Sequence, residues 1–322
     1  MWTTFNGAAG NGKIRLAVSR DRGLTFSNAV TITDPGTTSP ATTYVYPSVG
    51  VDGTLYVAYV GGFDTTNKNR VGHVYVTRSR DGGVTFDPPV EAATPVQNPD
   101  GFLPNTLFRD GIIEHFTASP THPGHLYLTY EDWDGRQFDV RFRQSTDGGQ
   151  SWGPIQQVND ASSTGDQFQP SVAAGPDGAV AIAFYDRRAR CPDDPSILPD
   201  HRGDANTCID ISLQVYKDNG GGAVAVGSNV RVSQFTWDPD QSQQKVGGIT
   251  QYACAGHTDP CPAGRGFIGD YFGLAISARN IYTFGVSTHY PSATVRADDG
   301  GPVYYQNQVL GITPRSAFGS GS

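Results

Sequence analysis

An eight-residue pattern occurs three times in the chain: SRDRGLTF at 19–26, SRDGGVTF at 79–86 and STDGGQSW at 145–152. Serine, aspartate, glycine, a hydroxyl residue and an aromatic return at the same offsets, with successive copies starting 60 and 66 residues apart. Each residue type has a turn-building role. In the second copy, Asp81 can accept hydrogen bonds from N–H groups of its own turn, and Gly83 supplies a positive φ. Thr85 adds a side-chain bond and Phe86 packs beneath the hairpin. The box is therefore expected to staple a turn, and no metal or sugar ligand is needed to explain it.

A second element recurs upstream of the boxes: GTLYVAYVGGFD (53–64), GHLYLTYEDWDG (124–135), GAVAIAFYDRRA (178–189) and RNIYTFGVSTHY (279–290). Each begins at a turn, alternates apolar residues with period two and ends in a polar cluster, which is the pattern of a strand. A shorter strand precedes each one: YPSVGV (46–51), EHFTAS (114–119), QPSVAA (169–174) and DYFGLAIS (270–277). A third follows: GHVYVTRS (72–79), FDVRFRQS (138–145), ISLQVYK (211–217) and PVYYQNQVL (302–310). Fourth strands such as NAVTIT and PIQQVN come after the boxes. The unit is a four-stranded antiparallel meander with the box in its last turn. The fourth unit keeps only KDNGGG (217–222), and the fifth has no box.

Repeats of this size cannot bury a sheet face alone, and arranging them around an axis solves the problem. The expected fold is thus all-β, a β-propeller of four-stranded antiparallel blades. Five to six blades are expected, the first incomplete because residues 2–33 lack an innermost strand. One propeller domain over 1–315 and a flexible tail at 316–322 account for the chain. With 40 Gly and 22 Pro, and only 17% charged residues, the composition suits many short strands joined by turns.

The three S-x-D-x-G-x-[TS]-[FW] boxes at blade spacing resemble the Asp-box, or bacterial neuraminidase repeat, propellers of the sialidase superfamily. The similarity spans nearly the whole chain. It implies a secreted exo-glycosidase that hydrolyses a terminal acidic sugar of the sialic acid type. The alternative is a non-catalytic extracellular propeller that binds glycan or protein. By role, the resemblance implies that Arg109 with Arg187 or Arg188 clamps the substrate carboxylate. It makes Tyr271 the nucleophile with Glu131 as its base, and Asp64 or Asp110 the acid. The family's [FY]-R-[IL]-P stretch has its nearest counterpart in Phe108-Arg109-Asp110-Gly111.

The residues themselves place a site on the same side of the fold. In a meander, the loops after strands two and four open on the face opposite the boxes, and that face collects the long connections 94–113, 186–209, 234–269 and 288–301. Asp64, Glu131, Asp186, Arg187, Arg188, Arg109, Glu114, Asp270 and Tyr271 all fall there. Asp186 and Asp270 either line the site or hold turn N–H groups. Arg187 and Arg188 are neighbours at a strand end, so alternation lets at most one reach the channel. His201 is a ligand, a base or an exposed loop histidine.

A net charge of −8 and no basic run exclude nucleic acid and anionic membrane as main partners, so a glycan or glycoconjugate is the expected partner of a monomer. No stretch approaches the roughly 18 apolar residues of a membrane span, and the first residues lack the regions of a signal peptide. GAAGNGKI at 7–14 has Ile14 where a phosphate loop needs a hydroxyl, which leaves it a hairpin loop. The four cysteines form two close sequence pairs, Cys191 and Cys208, and Cys254 and Cys261. Disulfides in an oxidising, extracellular compartment are expected, with three connectivities open and zinc near His257 as the alternative. No cofactor and no metal ligand set are assigned, although WDPD (237–240) and ADDGG (297–301) could hold structural calcium.

Overall fold

A computed structural model describes residues 1–6, 11–32, 43–64, 70–106, 114–160, 164–243, 245–246, 249–250, 268–295, 300–304 and 306–318. The chain is all-β. Sheet I contains Trp2–Asn6, Asn11–Leu16 and Val30–Thr31. Sheet II runs Thr43–Val49, Leu55–Asp64, Arg70–Ser79 and Val90–Ala93, and Val96–Gln97 also pairs with Arg70–Ser79. Sheet III runs Glu114–Ala118, Leu126–Trp133, Phe138–Ser145 and Gln156–Gln157, and sheet IV runs Gln167–Ala174, Ala179–Asp186, Asp210–Asp218 and Ala223–Arg231. Sheet V contains Gly273–Ile276, Asn280–Ser287 and Asn307–Pro314. All these pairings are antiparallel. The helical segments among the described residues are short 3-10 turns, none long and apolar enough to cross a membrane.

The sheets are blades of a β-propeller. First strands stand side by side around an axis: Thr43–Val49 beside Glu114–Ala118, that strand beside Gln167–Ala174, and the last beside Gly273–Ile276. Hydrogen bonds cross between them, from Ala118 N–H to Ser48 Oγ at 2.9 Å and from Val172 N–H to His115 Nδ1 at 3.2 Å. Neighbouring blades share apolar cores. Sheets II and III meet through Tyr56, Val74, Val76, Phe116, Leu126 and Leu128. The strand Ala179–Asp186 shows how alternation builds two interfaces at once: Val180, Ile182 and Phe184 pack on sheet III, while Ala181, Ala183 and Tyr185 pack toward sheet V. All eight of its residues are buried.

The boxes are turn staples. Ser79 Oγ donates to Asp81 Oδ1 at 2.7 Å, Gly83 N–H donates to Ser79 Oγ at 2.8 Å, and Thr85 donates through its N–H and its hydroxyl to the Asp81 carboxylate. Asp21 and Asp147 have the same set. The Thr25 and Thr85 hydroxyls are the largest influence holding the Asp21 and Asp81 carboxyls below the usual carboxylate range. Gly83 has φ of 88°, as the turn requires. The aromatic of each box serves the core on its preceding side. Phe86 packs on the core between sheets I and II, and Trp152 on that between II and III. Phe26 is 65% exposed, since among the described residues no sheet precedes sheet I.

Connections sort by end of the blade. Box turns lie with the first turns of the meanders, as the bond from Gly148 N–H to Gly124 O shows. Arg78 of sheet II donates to Gly148 O of the sheet III box at 2.8 Å. At the other end the long connections interlock: Arg187 donates to Pro104 O, Asn105 to Asn206 O, and Thr288 to Asp238 O. A disulfide joins Cys191 to Cys208 there, with Cα atoms 5.2 Å apart. Cys254, Cys261 and His257 lie outside the described residues.

Two expectations change. The third strand of sheet V is Asn307–Pro314 rather than 302–310, because Pro302–Tyr304 pairs with Pro291–Val295 in a separate hairpin. The ordered chain also continues past residue 315: Arg315–Phe318 forms a 3-10 turn, Arg315 binds the Asp177 carboxylate, and Phe318 packs on the core between sheets IV and V.

Candidate functional site

First strands stand side by side around the axis, and two of them are irregular. Tyr44 and Gln169 have φ of 50° and 48°, and each lies in a register shift, between Thr43 and Tyr46 and between Phe168 and Ser171. A left-handed non-glycine residue costs about 1–3 kcal/mol and persists only where its surroundings hold it. A bulge also re-aims the side chains beside it.

The group gathered there comes from three sheets. Tyr46 of sheet II lies edge-on to Tyr271, which enters sheet V, with ring centroids 6.4 Å apart. Tyr46 is also edge-on to His115 at 4.8 Å. Glu114 begins the first strand of sheet III and is fully buried, and neither carboxyl oxygen has a hydrogen-bond partner in another described residue. Burial pushes the Glu114 carboxyl well above the usual carboxylate range. Its field reaches both tyrosines. Burial raises the Tyr46 hydroxyl, with Glu114 the next cause, and the Tyr271 hydroxyl is raised by burial, then Asp270, then Glu114. Tyr271 is 60% exposed, so the cluster opens to solvent on its side.

Glu131 stands one step back. Its Oε2 accepts the Gln169 backbone N–H at 2.7 Å, and the Gln169 side chain donates to Gly269 O at 2.8 Å. Gly269 precedes Asp270 and Tyr271, so a buried carboxylate holds the strained residue that anchors the segment carrying the tyrosine. The carboxyls whose fields reach Tyr271 are Asp270 and then Glu114, and alternation alone does not single out Glu114.

The remaining candidates scatter. Arg187 is fully buried and donates to Asp166 Oδ2 at 3.1 Å, Pro104 O at 2.7 Å and Thr207 O at 3.3 Å. Burial pushes its guanidinium down to about 10, against the pull of Asp166. Arg188 turns to the surface, binding Asp186, Asp160 and Asn229. Asp186 accepts from Gln167, Ser212 and Arg188 within the blade. Asp64 ends its strand with its backbone paired to Val71, and Arg109 and Asp110 lie outside the described residues. Asp238 Oδ2 accepts from His201 Nδ1 at 2.9 Å, and Asp238 also accepts the N–H groups of Leu198 and Asp240. Asp298 and Asp299 lie outside the described residues.

No family model matches the chain, and no curated protein does. Among solved structures, it is similar to a mutant of the NanB sialidase from Streptococcus pneumoniae, at 14% identity and a TM-score of 0.41, over 94% of this chain and 35% of that one. It therefore spans about a third of that sialidase's length. It is also similar to an α-L-arabinanase of Penicillium chrysogenum, at 14% identity and a TM-score of 0.41, over 96% and 86% of the two chains. A GH93 α-L-arabinofuranosidase of Fusarium graminearum matches at 14% identity and a TM-score of 0.42, over 95% and 86%.

Proposed function

We propose that the chain is a secreted, monomeric glycoside hydrolase whose reaction takes place at the channel mouth around Glu114 and Tyr271. The observation that carries the reading is the Glu114 carboxyl, buried without a partner from another described residue, with a field that reaches Tyr46 and Tyr271. Burying such a group unpaired costs roughly 1–3 kcal/mol or more, and sites that bear this cost are commonly functional. In its ionised form this carboxyl takes the proton of the Tyr271 hydroxyl as the phenol oxygen attacks the anomeric carbon, then returns it. Asp64, at the same rim, is the second carboxyl, protonating the leaving oxygen. The tyrosine takes the part that the resemblance gives it, and Glu114 replaces Glu131 as its base. The Cys191–Cys208 bridge supports an oxidising compartment.

In the finer reading the substrate is a terminal acidic sugar of the sialic acid type. That reading rests on Arg109, because Arg187 and Arg188 are committed to Asp166, Asp160 and Asp186. The same commitment favours a second reading, a glycan-binding propeller without catalysis. A panel of fluorogenic acidic and neutral glycosides separates them. The enzyme reading expects turnover on at least one glycoside, lowered about 100-fold or more in Glu114→Gln and in Tyr271→Phe with circular dichroism unchanged. Turnover that survives both substitutions refutes the site. No turnover on any glycoside, with glycan binding lost in Tyr271→Ala, selects the binder.

A further inference from the structure

At the box end of the propeller, far along the blades from the channel cluster, sheets III and IV meet at three metal-ligating side chains. His122 and His125 belong to the turn THPGH before Leu126–Trp133, and Asp218 ends the third strand of sheet IV. One ligand atom from each lies within 4.8 Å of the others.

Asp218 stands in box register, with Gly220 two residues on as Gly83 follows Asp81. Tyr216 and Gly222 occupy the places of the box serine and threonine, so the carboxylate has no hydroxyl donors in its own turn. Oδ1 accepts Gly220 N–H at 2.7 Å and Gly222 N–H at 3.2 Å. Oδ2 is turned across the blade interface, to His125 Nδ1 at 2.6 Å and the Tyr127 hydroxyl at 2.7 Å. His122 Nδ1 stands 3.9 Å from Oδ1, too far for a hydrogen bond. Its ring is held there by Thr121 Oγ1 at 3.0 Å, and by the backbones of Gly178 and Gly220, where a Cβ would approach the ring to 3.4 and 3.8 Å. Asp218 and His125 are buried, while the His122 side chain is 27% exposed and leaves one open side.

We propose that His122, His125 and Asp218 form a binding site for a divalent transition-metal ion of the zinc class, which ties sheet III to sheet IV at the turn that lacks a box. Two imidazoles and a carboxylate are the donor set such ions take, and solvent reaches a fourth position past His122. Bonds of about 2.0–2.2 Å in a tetrahedron put ligand atoms about 3.3 Å apart. At present His125 Nδ1 is 2.6 Å from Oδ2 and His122 Nδ1 is 3.9 Å from Oδ1, so side-chain rotation within the 4.8 Å cluster brings both imidazoles to one carboxylate oxygen. The metal takes the place of the hydrogen bond between His125 and Asp218, with the imidazole proton moved to Nε2, while the Tyr127 hydroxyl keeps the carboxylate oriented.

The test is a titration of ZnCl2 into protein pretreated with chelator and desalted, followed by calorimetry and by thermal unfolding. One equivalent is expected to bind, with Tm raised by a few degrees at saturation. CoCl2 is expected to give the visible absorption of a four-coordinate site. His122→Ala, chosen because the side chain is partly exposed and no core depends on it, and His125→Gln are each expected to weaken binding at least tenfold. Absence of binding by the wild-type chain overturns the proposal, as does undiminished affinity in folded His122→Ala.

Discussion

His115 offers a direct measurement of how the blades are joined at the axis. Its Nδ1 accepts the Val172 N–H across the boundary between sheets III and IV, so the ring must stay neutral for the bond to exist. Burial pushes its pKa from the ordinary 6.5 down to about 4. Between those values the unfolded chain binds a proton that the folded chain refuses, so stability present above pH 6.5 is lost as pH falls toward 4. At about 1.4 kcal/mol for each pH unit, the loss over that window is at most about 3 kcal/mol. His115→Asn keeps an acceptor near the Nδ1 position and cannot titrate. Urea denaturation of both proteins from pH 4 to pH 7 should therefore show the variant gaining about 2–3 kcal/mol on the wild type as pH drops. Glu114, next in sequence, works in the opposite direction, since a raised carboxyl loses stability as pH rises, but it is common to both proteins and cancels. A stability difference that stays constant across the range would show that His115 does not serve as the neutral acceptor.

Removing Arg187 as Arg187→Met leaves the Asp166 carboxylate buried without its partner and should cost about 3–5 kcal/mol in urea denaturation. Adding Asp166→Asn should recover much of that loss, and an effect below about 1 kcal/mol in the single variant would contradict the pairing. Replacing Cys191 and Cys208 together by serine opens a loop spanning 17 positions and should cost about 3 kcal/mol, read as a lower Tm of the double variant; an unchanged Tm would refute the chain-entropy account.

The repeat was legible because its chemistry is local. Ser79, Asp81, Gly83 and Thr85 form one bonded set inside seven residues, so their spacing alone announces the turn, and the blade around it follows. Alternation within GAVAIAFYD likewise declares a strand covered on both sides. The site was only half legible. Sequence placed Glu114, Glu131 and Tyr271 at one end of the fold, but Glu131 is taken up by the backbone of Gln169, a left-handed residue that no spacing reveals. Arg187 looked available for a substrate, and only the arrival of Pro104, Asp166 and Thr207 from three separate connections commits it. Asp218 and His125, 93 residues apart, have no spacing that a reader of the chain would connect.

Sheet IV, flanked on both faces, imposes an order on how the molecule comes apart. Its strand Ala179–Asp186 is buried at every residue between the cores shared with sheets III and V, so the backbone amides of this strand should be among the last to take up deuterium. A stretch of mostly alanine, valine and isoleucine thus sets how long the blades around it stay assembled.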